Sequence, residues 1–452
     1  MAQQQAARKN LQKKSDLKEF AYEFTNIITH HFPDLDRQLS AVADSRKAWQ
    51  YTISEIVFGA IAMFVFKSGS RNNMNNVAGE GEFKKNFYKA FKFRIPHMDS
   101  ITLVFKEMPI VELEKLKLTL VKQLMEKKVF DKWRFEAKVI VAIDATGLVN
   151  FKEKHCDKCL FRIYKANEKR KVEKIVYFHN VLEAKLVTKN GFSISLCTEW
   201  IENDGTEYDK QDCESKAFVR LSEKLKKDFP RMAICLCADG LYPNNTFFEI
   251  CKKYNWSYIV TLPDKSLKRL WKKIRETTHV NQEHQHTEGP IEYVQKYQYI
   301  NDIEHNGLVH NWIQTDETQT ALKGKITVFK FVHLTNIEIS QENARDISTT
   351  GRLRWKIEKQ GFDQQKNHGY NIRHKYCRKS YKGMKNYYQC CQIAHIFNQL
   401  VELSKNILPF KPAKTTIKHI WFCLCSFMIY GDIQIHKIEQ IINHRTQIQY
   451  VD

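Results

Sequence analysis

Three acidic residues of this chain stand where a folded protein could gather them into a metal site. Asp144 follows the run KVIVAI, Asp239 follows the run ICLCA, and Glu358 lies in the basic stretch RLRWKIEKQGF. An isolated Asp at a strand end is commonly a turn or helix-cap residue, but carboxylates brought together repel one another unless a divalent cation neutralises them. The three acids together predict a site for two Mg²⁺ or Mn²⁺ ions, suited to cutting and joining phosphodiesters. Asp212 and Glu214 are either further acids around this site or helix-start residues favoured by the helix dipole.

The elements that would position these acids are predicted from runs of β-branched and apolar residues. After residue 132, the runs KVIVAID, KIVYFHNVLEAKLVT, FSISLCTEWI, MAICLCADG and WSYIVTLP combine with two amphipathic segments in the order β-β-β-α-β-α-β. This order predicts an α/β fold, a ribonuclease-H-like mixed sheet flanked by helices, in which the first and fourth strands are neighbours. Because Asp144 and Asp239 directly follow these two strands, we expect their carboxylates to share one edge of the sheet.

Five segments are predicted along the chain. Residues 1–132 show helical periodicity and are expected to form an all-helical domain for DNA binding or dimerisation. Residues 133–263 form the first part of the catalytic core, and residues 351–405 form its second part with the acidic residue on a basic helix. Residues 264–350 alternate in polarity and predict a β-rich insertion before that helix, and residues 406–452 form a helical tail.

The charge balance favours a polyanionic partner. Lys and Arg total 72 against 51 Asp and Glu, which gives a net charge of +21, and nucleic acid is the expected partner of such a surface. The longest apolar stretches, Ile56 to Phe66 and Ile420 to Tyr430, are shorter than the roughly 20 residues that span a bilayer, so no membrane association is expected. The polar, basic N-terminus lacks the pattern of a secretion signal. A cytoplasmic protein with reduced cysteines is therefore predicted.

A basic stretch surrounds Glu358. Between positions 351 and 385 there are eleven Lys or Arg residues and two acids, Glu358 and Asp363. Such a run is often only a solvated face, but here aromatic residues are interleaved with it, as in surfaces that neutralise phosphates and stack on bases. The aromatic residues are Trp355, Tyr370, Tyr376, Tyr381 and Tyr387. The stretch predicts contact with DNA.

The same residues resemble a family, the DDE transposases of bacterial insertion sequences, in the branch with a β-strand insertion before the Glu. The resemblance covers the chain from about Arg71 to Glu402. Around its Glu that branch has the signature Tyr, two residues, Arg, three residues, Glu, six residues, Lys. Arg354 and Glu358 keep this spacing, whereas Gly351 stands at the Tyr position and Lys366 is one position late.

The resemblance implies a DNA transposase that cuts transposon ends and joins them to target DNA with Asp144, Asp239 and Glu358. It implies a homodimer on double-stranded DNA, with terminal repeats bound by the N-terminal region that includes the basic segment 8–14. Two functions remain open beside it: a non-catalytic DNA-binding protein on the same fold, and a nuclease without strand transfer. An aromatic residue of the insertion grips a flipped base in related enzymes, and Trp312 is either that residue or a core tryptophan. The DNA-binding candidates are Arg352, Arg354, Lys359, Lys366 and Trp312.

The segment KHCDKC is a second candidate metal motif. His155, Cys156 and Cys159 have the spacing of zinc ligands, and Cys213 or His179 would supply a fourth. A single CxxC is also compatible with reduced thiols that bind nothing. Structural zinc is therefore an open alternative at this position.

Overall fold

The computed structural model describes residues 19–166, 173–204, 210–322, 324–410, 416–443 and 447–452. The basic segment 8–14, predicted to bind terminal-repeat DNA, lies outside the described residues. Within them, no helix is both long enough and apolar enough to cross a lipid bilayer.

The N-terminal region is helical, as its periodicity predicts. Its central helix is buried along its whole length, and a capping box fixes where it begins: the Thr52 hydroxyl accepts from the Glu55 backbone N–H at 3.2 Å, and the Glu55 carboxylate accepts from the Thr52 N–H at 3.0 Å. The helices are α1 (residues 19–31), α2 (Leu35–Ser40), α3 (Ile53–Val65), α4 (Arg71–Gly79), α5 (Phe83–Phe91), α6 (Met98–Glu107) and α7 (Ile110–Glu126).

A mixed sheet of ten strands forms the rest of the fold within the described residues. Its first six strands are β1 (Val139–Phe151), β2 (Leu160–Tyr164), β3 (Lys174–Val187), β4 (Ser193–Ile201), β5 (Ile234–Ala238) and β6 (Ser257–Thr261). They lie in the order β4-β3-β1-β5-β6, with the short β2 beside the first half of β3. The pairs β4–β3 and β3–β1 are antiparallel, whereas the pairs β1–β5 and β5–β6 are parallel. The predicted adjacency of the first and fourth long strands is confirmed.

Strand β1 is longer than its apolar run suggests. The sequence places Asp144 directly after this strand, but Asp144 lies inside it, paired with Glu183 of β3. The reason is that β1 has two partners of different length: the antiparallel ladder with β3 continues to Phe151, whereas the parallel ladder with β5 ends near Ala142. The polar second half of β1 is therefore held by one neighbour only.

The β-rich insertion extends the same sheet. Its strands are β7 (Val280–Glu288), β8 (Ile291–His305), β9 (Leu308–Ala321) and β10 (Ile326–Thr335), and β10 pairs antiparallel with β6. The polar strand β7 is the outer member of the sheet. A helix that the sequence analysis did not anticipate, α10 (Lys268–Glu276), precedes it.

The remaining helices cover the sheet. They are α8 (Glu214–Asp228), α9 (Asn245–Tyr254), α11 (Ala344–Arg352), a π-helix (Ile357–Asp363), α12 (Gln364–Asn367), α13 (Tyr381–Glu402), α14 (Ile417–Tyr430) and α15 (Ile435–Asn443). The single helix expected from residue 351 is in fact interrupted by a turn at residues 353–354 and by the π-helix. Helix α13 packs on α3, α6 and α7 on one side and on β4 on the other. The N-terminal helices and the sheet therefore share one apolar core, in which Phe32 contacts Phe397 of α13 with ring centroids 5.2 Å apart.

Candidate active site at the ends of β1 and β5

Strand register brings the two Asp residues to the same level of the sheet. Ala142 of β1 is opposite Cys237 of β5 in the parallel ladder. Asp144 and Asp239 each follow two residues after this last pair, so both carboxylates lie just beyond the point where the ladder ends. The side chain of Asp239 is fixed in the turn after β5, because it accepts a hydrogen bond from the Leu241 backbone N–H at 2.9 Å.

Glu358 approaches the same place from the π-helix. This helix packs against β1, and Arg354, one turn earlier, donates to the Glu358 carboxylate at 3.0 Å. The Arg354 side chain is 8% exposed and that of Glu358 is 40% exposed, so the carboxylate reaches toward solvent while the guanidinium lies beneath it. Single π-turns within helices are rare and occur frequently at functional sites.

The electrostatics of Asp144 show that the acids belong to one cluster. Burial is the largest cause that raises the pKa of Asp144 to about 7; the charges of Glu358, Glu214 and Asp239 contribute to this shift, and the charge of Arg354 opposes it. Burial and like charge both disfavour an ionised carboxylate. The negative charge of the acids therefore exceeds the positive charge of Arg354, and a bound divalent ion would compensate for this excess.

Glu214 is a member of this cluster that the sequence analysis left undecided. It is the first residue of α8, as expected of an acid favoured by the helix dipole. However, it also accepts a hydrogen bond from the Tyr242 hydroxyl at 2.6 Å. Burial raises the pKa of Glu214, the Tyr242 hydrogen bond lowers it, and the charge of Asp239 raises it again. Tyr242 stands three residues after Asp239, so the turn after β5 connects Glu214 to the cluster, a contact that has no sequence signal.

Glu183 lies beside Asp144 in the sheet, but hydrogen bonds already satisfy the oxygens of its carboxylate. Its carboxylate accepts from the hydroxyls of Ser195 and Thr198 at 2.6 Å each and from the hydroxyl of Tyr388 at 3.1 Å. The residue is fully buried. Since its oxygens have these partners, Glu183 is a structural acid of the sheet and not a free ligand.

The donor atoms of the predicted triad are not yet arranged around one ion. Among the described residues, the one set of three potential ligand side chains whose donor atoms all lie within 4.8 Å of one another is Cys156, Cys159 and His179. Asp144, Asp239 and Glu358 form no such set, and Glu358 is held by Arg354 instead.

Besides Arg354, which contacts Glu358 directly, Lys366 is a predicted DNA contact whose charge interacts with the acids. Burial and the charge of Arg373 lower the pKa of Lys366, while Asp144, Asp363 and Glu358 oppose this shift. The ammonium group is also 5.6 Å from the centre of the Phe362 ring. Lys366 is therefore a residue of the basic stretch that interacts electrostatically with the acidic cluster. Lys359, another predicted DNA contact, is exposed on the same segment.

Two other predicted contacts have structural partners. Arg352 donates to Glu317 of β9 at 2.6 Å, and Glu317 is fully buried, so this guanidinium balances an interior charge. Trp312 is 1% exposed and packs against Trp271 with ring centroids 6.2 Å apart. Of the two roles open to Trp312, the structure shows the core tryptophan, because its ring is packed inside the apolar core and does not reach the surface where a base could bind.

The predicted zinc motif changes one ligand. His155 is not part of the cluster of Cys156 and Cys159, since its ring stacks on Phe151 at 4.3 Å. His179 of β3 takes its place. The spacing in the sequence could not choose between the two histidines, because His179 reaches the cysteines only through the pairing of β1 with β3.

No protein-family model matches the chain, and no curated protein matches it in sequence.

Proposed function

We propose that this protein is a metal-dependent DNA transposase that cuts the ends of a transposon and joins them to target DNA. The observation that carries the proposal is the placement of Asp144 and Asp239 side by side just beyond the β1–β5 ladder, where burial and then the charges of Glu358, Glu214 and Asp239 raise the pKa of Asp144. Perturbed carboxylates in a cluster are typical of functional sites. The position of Asp144 and Asp239 just beyond the parallel ladder of β1 and β5, beside a basic stretch, favours a phosphodiester substrate.

The strand order supports a ribonuclease-H-like core. Three antiparallel strands continue into two parallel ones in the order β4-β3-β1-β5-β6, with the acids on the central strand and after its parallel neighbour. The β-rich insertion follows β6 and precedes Glu358, as in the transposase branch that the sequence resembles.

The donor set fits hard divalent cations. Carboxylate oxygens are the ligands that Mg²⁺ and Mn²⁺ prefer, and Asp144, Asp239 and Glu358 would hold two such ions. When bound, the ions would activate the attacking water or 3′-hydroxyl and stabilise the leaving oxygen. The 2.6 Å hydrogen bond from the Tyr242 hydroxyl to Glu214 would hold the turn that contains Asp239 against the start of α8.

The cations of the chain have separate roles in this proposal. Arg354 holds the Glu358 carboxylate at 3.0 Å and neutralises it in the metal-free chain. Lys366 and Arg373 supply positive charge next to the acids, where a DNA phosphate would lie. Trp355 is 49% exposed, and the Arg354 guanidinium stacks on its ring at 4.4 Å. This indole offers a face for a base, the role that the buried Trp312 cannot fill.

The ion pair of Arg354 with Glu358 is the observation that favours the alternative, a non-catalytic DNA-binding protein. In that case the pair is structural and the acids bind no ions. A nuclease without strand transfer would use the same residues as the transposase. The three functions differ in their products.

The deciding experiment uses the full chain, Mg²⁺ and linear DNA that carries the sequences flanking its gene. A transposase gives strand breaks at the ends and joined products on a plasmid target. The variant Asp144→Asn should abolish both, and Asp34→Asn, which removes an exposed carboxylate paired only with Arg37, should change neither. Cleavage that survives Asp144→Asn would overturn the site assignment. Cleavage without joining would identify a nuclease, and DNA binding without cleavage would identify a binding protein.

A dimer is part of the proposal, because two transposon ends must be held together for joining. Light scattering of the chain with and without end DNA measures this directly. We expect a DNA complex that contains two chains, and a complex with one chain and one DNA end would contradict the dimer.

A further inference from the structure

A compact set of sulfur and nitrogen donors lies beside the second half of β1, outside the carboxylate cluster. The Sγ atoms of Cys156 and Cys159 are 3.6 Å apart, and each is 3.5 Å from Nε2 of His179. Cys156 and Cys159 belong to the loop between β1 and β2, whereas His179 is in β3 opposite Val149. We propose that these three side chains bind a zinc ion.

The three distances match a tetrahedral zinc site. Zinc–sulfur bonds of about 2.3 Å and a zinc–nitrogen bond of about 2.05 Å at tetrahedral angles place two sulfur atoms about 3.8 Å apart, and a sulfur about 3.6 Å from the nitrogen. The observed separations agree with these values within about 0.2 Å, the tolerance for a ligand set. A disulfide would need the two sulfur atoms at about 2.05 Å, far closer than they are.

The environment of His179 also indicates a metal. The residue is fully buried, and its Nε2 atom faces the sulfur atoms of both cysteines, while Nδ1 has no hydrogen-bond partner among the described residues. Nε2 is therefore the ring nitrogen that would bind the ion. The His179 ring stacks on that of Tyr381 at 3.8 Å, which fixes the direction of Nε2. A zinc ion at this position would satisfy the nitrogen and both thiolates together.

The loop that bears the cysteines is held firmly at its far end. The Asn203 side chain donates to the Cys159 carbonyl at 2.8 Å, and the Asn203 backbone N–H donates to the Lys158 carbonyl at 3.3 Å. Cys156 is partly exposed, so a water molecule reaches the fourth position of the ion. Three protein ligands and water complete the tetrahedron.

The ion would shape a basic groove. The same loop forms one wall of a groove whose cations come from three segments of the chain, and Lys375 lies over the Phe151 ring at 4.8 Å. Because zinc would fix the loop against β3, it would also fix this wall. The cations of the groove are Lys152, Lys154, Lys174, Lys375 and Arg378. This inference does not depend on the transposase activity.

Metal analysis of the purified full chain tests the proposal. Elemental analysis and native mass spectrometry should find one zinc per chain, lost in Cys159→Ser and in His179→Ala. Two matched variants should keep it: His155→Ala removes the histidine of the motif that faces Phe151, and Cys213→Ser removes an exposed thiol at the start of α8. Loss of zinc in either matched variant would overturn the ligand set.

Cobalt substitution gives a test that does not require any variant to fold. The wild-type chain loaded with Co²⁺ should show thiolate-to-cobalt charge-transfer absorption and the visible bands of a tetrahedral ion. A chain that takes up no zinc or cobalt, or whose mass is two hydrogens lower because Cys156 and Cys159 form a disulfide, would refute the site.

Discussion

Binding of divalent ions at the acidic cluster should depend steeply on pH. A carboxylate binds a metal ion in its deprotonated form, and burial together with neighbouring acids raises the pKa of Asp144 from 3.8 to about 7. With a pKa of about 7, the ionised fraction falls from about 0.9 at pH 8 to about 0.1 at pH 6. The apparent affinity should therefore fall about tenfold over this interval, whereas a carboxylate with the ordinary value would stay ionised throughout.

Manganese is the practical probe, because free and bound Mn²⁺ differ in their paramagnetic resonance spectra. The full chain is first loaded with one equivalent of zinc, so that the Cys156, Cys159 and His179 cluster takes up no manganese and no excess zinc occupies the acids. Titrations at pH 6 and pH 8 then give the ratio of affinities. Calorimetry in buffers of different ionisation enthalpy gives the protons released, which should be close to one per chain at pH 6 and close to zero at pH 8.

Two variants make the result specific. Asp144→Asn should bind Mn²⁺ weakly and lose most of the pH dependence, whereas Asp34→Asn should behave as the wild type. Equal wild-type affinities at pH 6 and pH 8 would refute the electrostatic reasoning. A tenfold change that persists in Asp144→Asn would assign the proton to another group.

Four further outcomes follow from the same contacts. In the metal-free chain, the raised pKa of Asp144 lowers the free energy of unfolding. The loss is absent below pH 3.8 and reaches about 4 kcal/mol above pH 7, so Asp144→Asn should raise the melting temperature more at pH 8 than at pH 5. Glu214→Gln should slow DNA cleavage without weakening DNA binding, as gel-shift and cleavage assays on the same samples would show. Arg352→Ala should destabilise the fold by roughly 3 to 5 kcal/mol, because it leaves buried Glu317 unpaired, and an unchanged melting temperature would contradict this. Lys366→Ala should reduce the slope of log affinity for DNA against log salt by about one.

The strands around the site were predictable because their composition reports burial. Apolar runs predicted β1, β3 and β5, with Val and Ile prominent in β1 and β3 and Cys and Leu in β5, and the order of strands and helices predicted the adjacency of β1 with β5. Asp144 and Asp239 were found in this way. Their prediction depended only on strand order and on the positions at which the apolar runs end.

Other features depend on contacts between distant segments. The length of β1 beyond Asp144 comes from its ladder with β3, and the place of Glu214 comes from the hydroxyl of Tyr242. The helical segment that bears Glu358 is broken at residues 353–354 and contains a π-turn. Both features are likewise set by packing on the sheet, since the local sequence is compatible with an unbroken helix.

The sequence by itself determined the helical N-terminal region, the long strands and two of the acids, because periodicity and composition record which side chains are buried. The tertiary structure alone decided which of the remaining side chains meet. It turned Trp312 into the core, paired Arg352 with Glu317, and chose His179 over His155 as the partner of the cysteines. Each of these contacts joins a strand to a helix or loop that is distant in the chain, and a linear pattern contains no information about such a partner.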